Sequence, residues 1–196
     1  MTIYIEMLYF EIEMNEALPG LLLISDPFLK DPNFMRTVIL LCEHQPEGSF
    51  GFVLNRPYDQ PLGELISDLE GTTIPVYYGG PVQLDTVHFL HKRPDLIEGG
   101  FEVIDGIYWG GDFEEVVTLL KTGSLKTSDI RFYIGYSGWG EGQLENELKE
   151  KSWITREGTK QLIFHKHPDM IWREALKDLG GEYAQMPNYP IDPQLN

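Results

Sequence analysis

Apolar positions in this chain fall into short, dense runs separated by Gly, Pro and Asp, and only a few segments repeat at helical spacing. Residues 20–25 (GLLLIS) read as a β-type run. Residues 37–43 (TVILLCE) read as a strand covered on both faces, because the run is continuous rather than alternating. Between them, residues 26–33 carry two Asp-Pro pairs and predict turns, since proline bars its predecessor from the helical region. Residues 45–49 form a turn and residues 50–55 (FGFVLN) the next strand, a hairpin partner for the preceding one. Further strands are expected at 76–78 and 87–91 around a Gly-Gly-Pro turn, and at 130–136, 153–155 and 161–164. Residues 101–104 and 107–109 predict a hairpin closed by Asp105-Gly106 as a type I′ turn.

Helical spacing is confined to four places. After Pro61, Leu62, Leu65, Ile66 and Leu69 share one face. Asp112 is placed to cap a helix that sets Phe113, Val116, Val117 and Leu120 on one side. Residues 143–151 predict a charged helix with Leu144 and Leu148 inward. Residues 169–179 predict a last helix, ended by Gly180 and Gly181. Residues 138–142 read as a glycine-rich loop, residues 182–196 as an extended, Pro-punctuated stretch, and residues 1–18 as a strand, a helix or an arm. Hairpins outnumber βα alternations, which points to an α+β fold with a mixed, strongly curved sheet and a few packed helices.

Composition narrows the function. At 196 residues the chain is long enough for one large domain or two small ones. Its 15 Lys+Arg against 31 Asp+Glu give a formal net charge of -16, which argues against direct nucleic-acid binding and against docking on anionic membranes. The charge reads as a solubilising surface rather than a binding device, with Glu13, Glu16, Glu47, Glu64, Glu98, Glu147 and Glu150 on solvent faces. Cys42 is the single cysteine, which excludes an intrachain disulfide and a four-Cys zinc site. The N-terminal MTIYIEMLYFEIEMNEALPG is interrupted by Glu6, Glu11 and Glu13 and lacks a basic start and a small-residue cleavage site, so it does not read as a signal peptide. A cytoplasmic protein is the expectation.

The ordered motifs FMRTVILLCEH (34–44), GFVLNRP (51–57), YYGGPV (77–82), FLH (89–91), GGFEVIDGIYWGGDFE (99–114), RFYIGYSGWGEGQLENEL (131–148), SW (152–153) and DMIWREAL (169–176) resemble the bacterial YqgE/AlgH family. The resemblance covers roughly residues 20–184, with residues 1–19 as an extension outside the pattern and residues 185–196 as an extended tail whose NYPIDPQLN is similar to Bacteroidetes members. It implies a bifurcated β-sheet folded into a pseudo-barrel with flanking helices, and no established biochemical function. The family carries a transcriptional-regulator label from a genetic association with alginate production, and the resemblance transfers no catalytic residue, cofactor or metal.

The loop from Gly135 through Gly142 could cradle an anion with backbone N–H groups, but no Walker lysine follows, Glu141 opposes a phosphate, and a tight structural turn is the better reading. Gly135-Tyr136-Ser137 misses the nucleophile elbow because Trp139 stands where glycine clearance is needed. His88 and His91 are three apart on a strand and face opposite ways. His165 and His167 could share a face, but read as surface or capping groups. Cys42 and His44 share a face if their strand is regular, so an imidazolium could activate the thiol for redox sensing; a buried core cysteine is favoured over that. Arg56 ends a strand near the Gly79-Gly80 turn and is suited to a carboxylate or phosphate, with a structural ion pair as the competing reading. Any cleft there is expected to be lined by Asn55, Arg56, Gly79, Gly80, Gly110, Gly111, Ser137 and Trp139.

Four readings follow. The favoured one is a non-enzymatic regulatory or binding protein acting through a protein partner or small ligand. The alternatives are an enzyme or sensor for a small anionic metabolite near Arg56, or a thiol redox sensor through Cys42. DNA binding ranks last. An exposed apolar patch around Trp139 or on the tail would favour the first.

Overall fold

The computed structural model describes residues 17–190. The readings made for residues 1–16 and 191–196 lie outside the described residues. Among the described residues nine strands form: β1 (Leu21–Ser25), β2 (Val38–Gln45), β3 (Gly48–Val53), β4 (Val76–Tyr78), β5 (Val82–His91), β6 (Phe101–Ile104), β7 (Ile107–Trp109), β8 (Ile130–Gly140) and β9 (Trp153–Glu157). The helices are α1 (Leu62–Leu65), α2 (Phe113–Lys121), α3 (Gln143–Lys149), α4 (Lys160–Ile163) and α5 (Ile171–Leu179), with 3-10 turns between several of them. All strands belong to one sheet in the order β6-β7-β5-β8-β3-β2-β1-β9, and β4 lies off this path, parallel to β8. The other pairings are antiparallel, so the sheet is mixed and the α+β expectation holds.

The sheet forks at β8. Its first half pairs with β4 (Val76↔Phe132 to Tyr78↔Ile134), and its second half with β3 (Gly51↔Ser137 to Gly48↔Gly140). The joint is Gly79, whose N–H donates to the Ile134 carbonyl (2.8 Å) while its own carbonyl accepts from Val53 (2.9 Å). Gly135 turns the strand there at φ 64°. Two backbones come so close that a Cβ on Gly79 would lie 2.3 Å from the Gly135 carbonyl oxygen. Only glycine fits such an approach.

The sheet also curls. β5 and β8 separate β7 from β3 in the ladder, yet the Trp109 and Phe50 rings lie 4.7 Å apart across the concave side. Alternation sorts the strand residues between the two faces. Leu22, Ile24, Val38, Leu40, Phe52 and Tyr133 face the concave side and pack under α4 and α5 through Leu162, Ile163, Ile171, Trp172 and Leu176. The convex side is covered in two parts. Phe132, Ile134 and Val76 pack with α1 and α2, while Leu23, Ile39, Leu41 and Val53 pack with α3 and the indoles of Trp139 and Trp153. The result is a half-barrel with flanking helices.

Several local expectations are corrected. The stretch read as a loop at 138–142 continues β8 to Gly140, with Trp139 buried between exposed glycines, and only Gly142 turns the chain into α3. Residues 161–164, read as a strand, fall in and just after the short helix α4 (Lys160–Ile163), which the Thr159 side chain caps by accepting from the Leu162 N–H at 3.3 Å. The face from Leu62 to Leu69 is split into α1 and a 3-10 turn at Ser67–Leu69. Residues Tyr183–Asn188 form a 3-10 turn rather than extended chain. In the β6–β7 hairpin only Gly106 of the turn pair has positive φ (69°), so the turn is not type I′; a register shift between Glu102 and Ile104 absorbs the difference. The cap at Asp112 is as expected, accepting from the Glu115 N–H at 3.0 Å.

Candidate functional site

Where the half-barrel curls over, the strand ends leave an open bowl of about 670 Å³. Its aromatic wall comes from three strands: Phe50 of β3, Trp109 of β7 and Tyr136 of β8. Phe50 packs edge-on against both others, at 4.7 Å to Trp109 and 5.9 Å to Tyr136. His88 of β5 closes one side, 5.9 Å from Tyr136. Phe101 stacks on Trp109 at 5.7 Å and is 68% exposed, the most open of the large apolar side chains among the described residues. Burial lowers the His88 pKa from its ordinary value, so the imidazole is neutral near pH 7. Its Nε2 lies 3.0 Å from the Thr86 hydroxyl.

The rim is acidic because of a β-bulge. β2 and β3 pair regularly as far as Leu41↔Gly51 and resume at Glu43↔Phe50, leaving Cys42 as the extra residue. A bulge shifts the alternation by one. Glu43, which regular pairing would turn to the convex side, therefore stands beside Phe50 in the bowl with Glu47 from the adjoining turn. His44 is carried to the other side, where its Nδ1 meets the Ser49 hydroxyl at 2.7 Å and its Nε2 lies 3.5 Å from Glu145. This corrects the expectation that Cys42 and His44 share a face.

The residues expected around Arg56 are not gathered in one cleft. The Arg56 guanidinium donates to the carbonyls of Pro32 and Asn33 (both 2.8 Å) and Met35 (3.3 Å), clamping the turns before β2. Asn55 accepts from the Val38 N–H at 3.0 Å and donates to the Arg36 carbonyl at 2.9 Å. Gly79, Gly80 and Ser137 form the fork; the buried Ser137 hydroxyl donates to the Gly79 carbonyl at 3.1 Å. Gly110 and Gly111 lie between β7 and α2, where a Cβ on Gly111 would meet Ile97 at 2.7 Å. Trp139 alone of these touches the bowl, and it is 7% exposed, so the apolar patch centres on Trp109 and Phe101 instead.

The profile of the AlgH-like family (DUF179) matches residues 22–184. The chain belongs to the AlgH-like family. Relatives named UPF0301 protein are 45% identical over 94% of this chain and 98% of their own in Chlorobium limicola, and 41% identical over 90% and 98% in Cytophaga hutchinsonii. The solution structure of the AlgH protein from Pseudomonas aeruginosa superposes with a TM-score of 0.68 at 28% identity, covering 89% of this chain and 97% of that one. A crystal structure from Corynebacterium diphtheriae shares the fold, with a TM-score of 0.74 at 20% identity over 93% and 97%.

Within this AlgH-like fold the other candidate groups are tied into the structure. Cys42 is buried, and burial followed by the neighbouring Glu43 charge pushes its thiol pKa well up, away from thiolate reactivity. His91 is fully buried on the side opposite His88, and burial lowers its pKa. His165 pairs with Glu174 at 3.1 Å and its Nδ1 lies 2.8 Å from the His167 carbonyl, a structural cap between α4 and α5. No cluster of metal-ligating side chains forms among the described residues, and none of their helices is long and apolar enough to cross a membrane. Glu147, expected on a solvent face, is half-buried and accepts from the indole N–H groups of both Trp139 and Trp153 at 2.8 Å. Sequence reasoning missed the bowl because its wall comes from three separate strands. The contact between Phe101 and Trp109 also depends on the register shift between Glu102 and Ile104, which the two-residue hairpin read from the sequence does not contain.

Proposed function

We propose that this AlgH-like protein is a non-enzymatic binding module that docks a protein partner on the aromatic bowl. The observation that carries the reading is the exposed Phe101 continuing the Trp109–Phe50–Tyr136 wall outward. Large apolar side chains grouped around a concavity mark interaction surfaces, and aromatic anchors carry most of an interface's energy. The groups that would serve an enzyme or thiol sensor are engaged elsewhere: Ser137 bonds the fork, Arg56 clamps carbonyls, and Cys42 is buried and held neutral.

A photo-crosslinking residue in place of Phe101, expressed in the source cells, tests it. The expected result is a discrete adduct with one protein, absent when the same residue replaces Lys121 on α2 and reproduced with the two purified proteins. Identical adducts from both positions, or none from Phe101, would overturn the reading.

A further inference from the structure

The bowl combines electron-rich ring faces with carboxylates, and among the described residues that line it there is no cation. No Lys or Arg is among the residues that line it, and His88 is neutral near pH 7. Glu43 and Glu47 are exposed and pair with no cation among the described residues. Some carboxylates elsewhere do find cations: Asp178 holds Arg156 at 3.0 Å, Asp129 holds Lys92 at 3.2 Å and Asp95 holds Arg93 at 2.7 Å. The bulge at Cys42 is what turns Glu43 into the aromatic wall, placing a carboxylate directly across the ladder from Phe50. Aromatic faces attract cations through their quadrupole, and a carboxylate beside them adds a second attraction of the same sign. A net charge of -16 extends that field outward and speeds the approach of a basic partner.

Resting on the reading of the bowl as a docking site, we infer that its occupant is a lysine or arginine side chain presented by a basic segment of a partner protein. An aliphatic stem lies along Phe50 and Trp109 while the cationic head meets Glu43 and Glu47. Arginine suits the site best, because its planar guanidinium both stacks on aromatic faces and forks onto a carboxylate. The shape selects a delivered side chain over a free small molecule. The bowl is open to solvent, flanked by the exposed Phe101, and would leave a small ligand largely uncovered.

The test uses the full chain, 15N-labelled, titrated with capped tripeptides Gly-Xaa-Gly in which Xaa is Arg, Lys, norleucine or Glu. The Trp109 indole resonance reports the bowl, and the Trp172 indole, buried and bonded to the Ser25 carbonyl, is the internal control. The expected result is a saturable shift at Trp109 with the Arg and Lys peptides, weakened by salt, with none at Trp172. The Glu43→Gln/Glu47→Gln variant, changed only at exposed positions, should fold as the parent and bind the Arg peptide roughly five- to tenfold more weakly. Norleucine binding as well as lysine would overturn the cationic occupant while leaving a docking bowl standing. Binding by the Glu peptide, or no shift at Trp109 with any peptide, would overturn it too. A crosslinked partner at Phe101 then still supports the docking reading, so the two fail separately.

Discussion

At the scale of single residues, one carboxylate joins two aromatic anchors. The Glu147 Oε2 accepts from Trp139 and Trp153, whose rings meet edge-on at 6.4 Å, and its Oε1 accepts from Gln143 at 2.9 Å. Removing the carboxylate orphans two indole donors in a mostly buried setting, and an orphaned donor costs about 1–3 kcal/mol. Glu147→Ala is therefore expected to lower unfolding stability by about 2–4 kcal/mol, read by urea titration with tryptophan emission as the probe. An unchanged midpoint would show that the indoles find water instead. Glu150→Ala, an exposed position on the same side of the chain reversal, is expected to change little. The charge count of the sequence could not separate these two glutamates, because which of them meets an indole depends on the strand register that brings Trp139 back beside α3.

At the scale of elements, the fork is where a small change has the largest effect. A Cβ on Gly79 would lie 2.3 Å from the Gly135 carbonyl oxygen and 3.0 Å from the Phe52 ring, and nothing flexible is there to move aside. Gly79→Ala is expected to destabilise the protein by more than about 3 kcal/mol or to prevent folding, whereas Gly140→Ala, with open space around its Cβ, is expected to be nearly neutral. Equal unfolding midpoints for the two variants would contradict the fork as the point where the sheet is held. The strands that bury both faces were legible, since continuous runs such as VILLC leave no other placement. The elements that were misread are those decided by a neighbour. α4 looks like a strand until Thr159 caps it, and the GWG of β8 looks like a loop until its alternating burial shows Trp139 turned inward. The bulge at Cys42 left no mark at all in the pattern, and with it went both the Cys42–His44 pairing and the placement of Glu43 in the bowl.

At the scale of the whole molecule, the -16 charge sits on a protein whose concave core holds neutral titratable groups. Cys42 and Tyr133 both face that core, and burial raises both pKa values, the thiol from an ordinary 9.0 and the phenol from an ordinary 10.0. The sign of the pH dependence follows from proton counts. Above the unfolded thiol's value the unfolded chain has released its proton while the folded chain still holds it, so unfolding gains and stability falls as pH rises. The contribution is fully present below pH 9.0 and is lost above it. At about pH 10 the unfolded thiol is mostly ionised while the folded one is not, which costs the fold on the order of 1 kcal/mol. Tyr133 adds to the loss as pH passes the unfolded phenol's 10.0. Replacing Cys42 by Val removes one of the two ionising groups and keeps the volume close. Unfolding stability measured from about pH 8 to about pH 10 should therefore fall further in the parent than in Cys42→Val, by on the order of 1 kcal/mol over that span. Parallel curves would mean that the thiol ionises as freely in the folded chain as in the unfolded one, and would return Cys42 to consideration as a reactive group. The histidines on the two faces of β5 predict the opposite sign in acid: burial holds His88 and His91 below their ordinary 6.5, so the unfolded chain takes up protons first and stability falls as pH drops through 6.5.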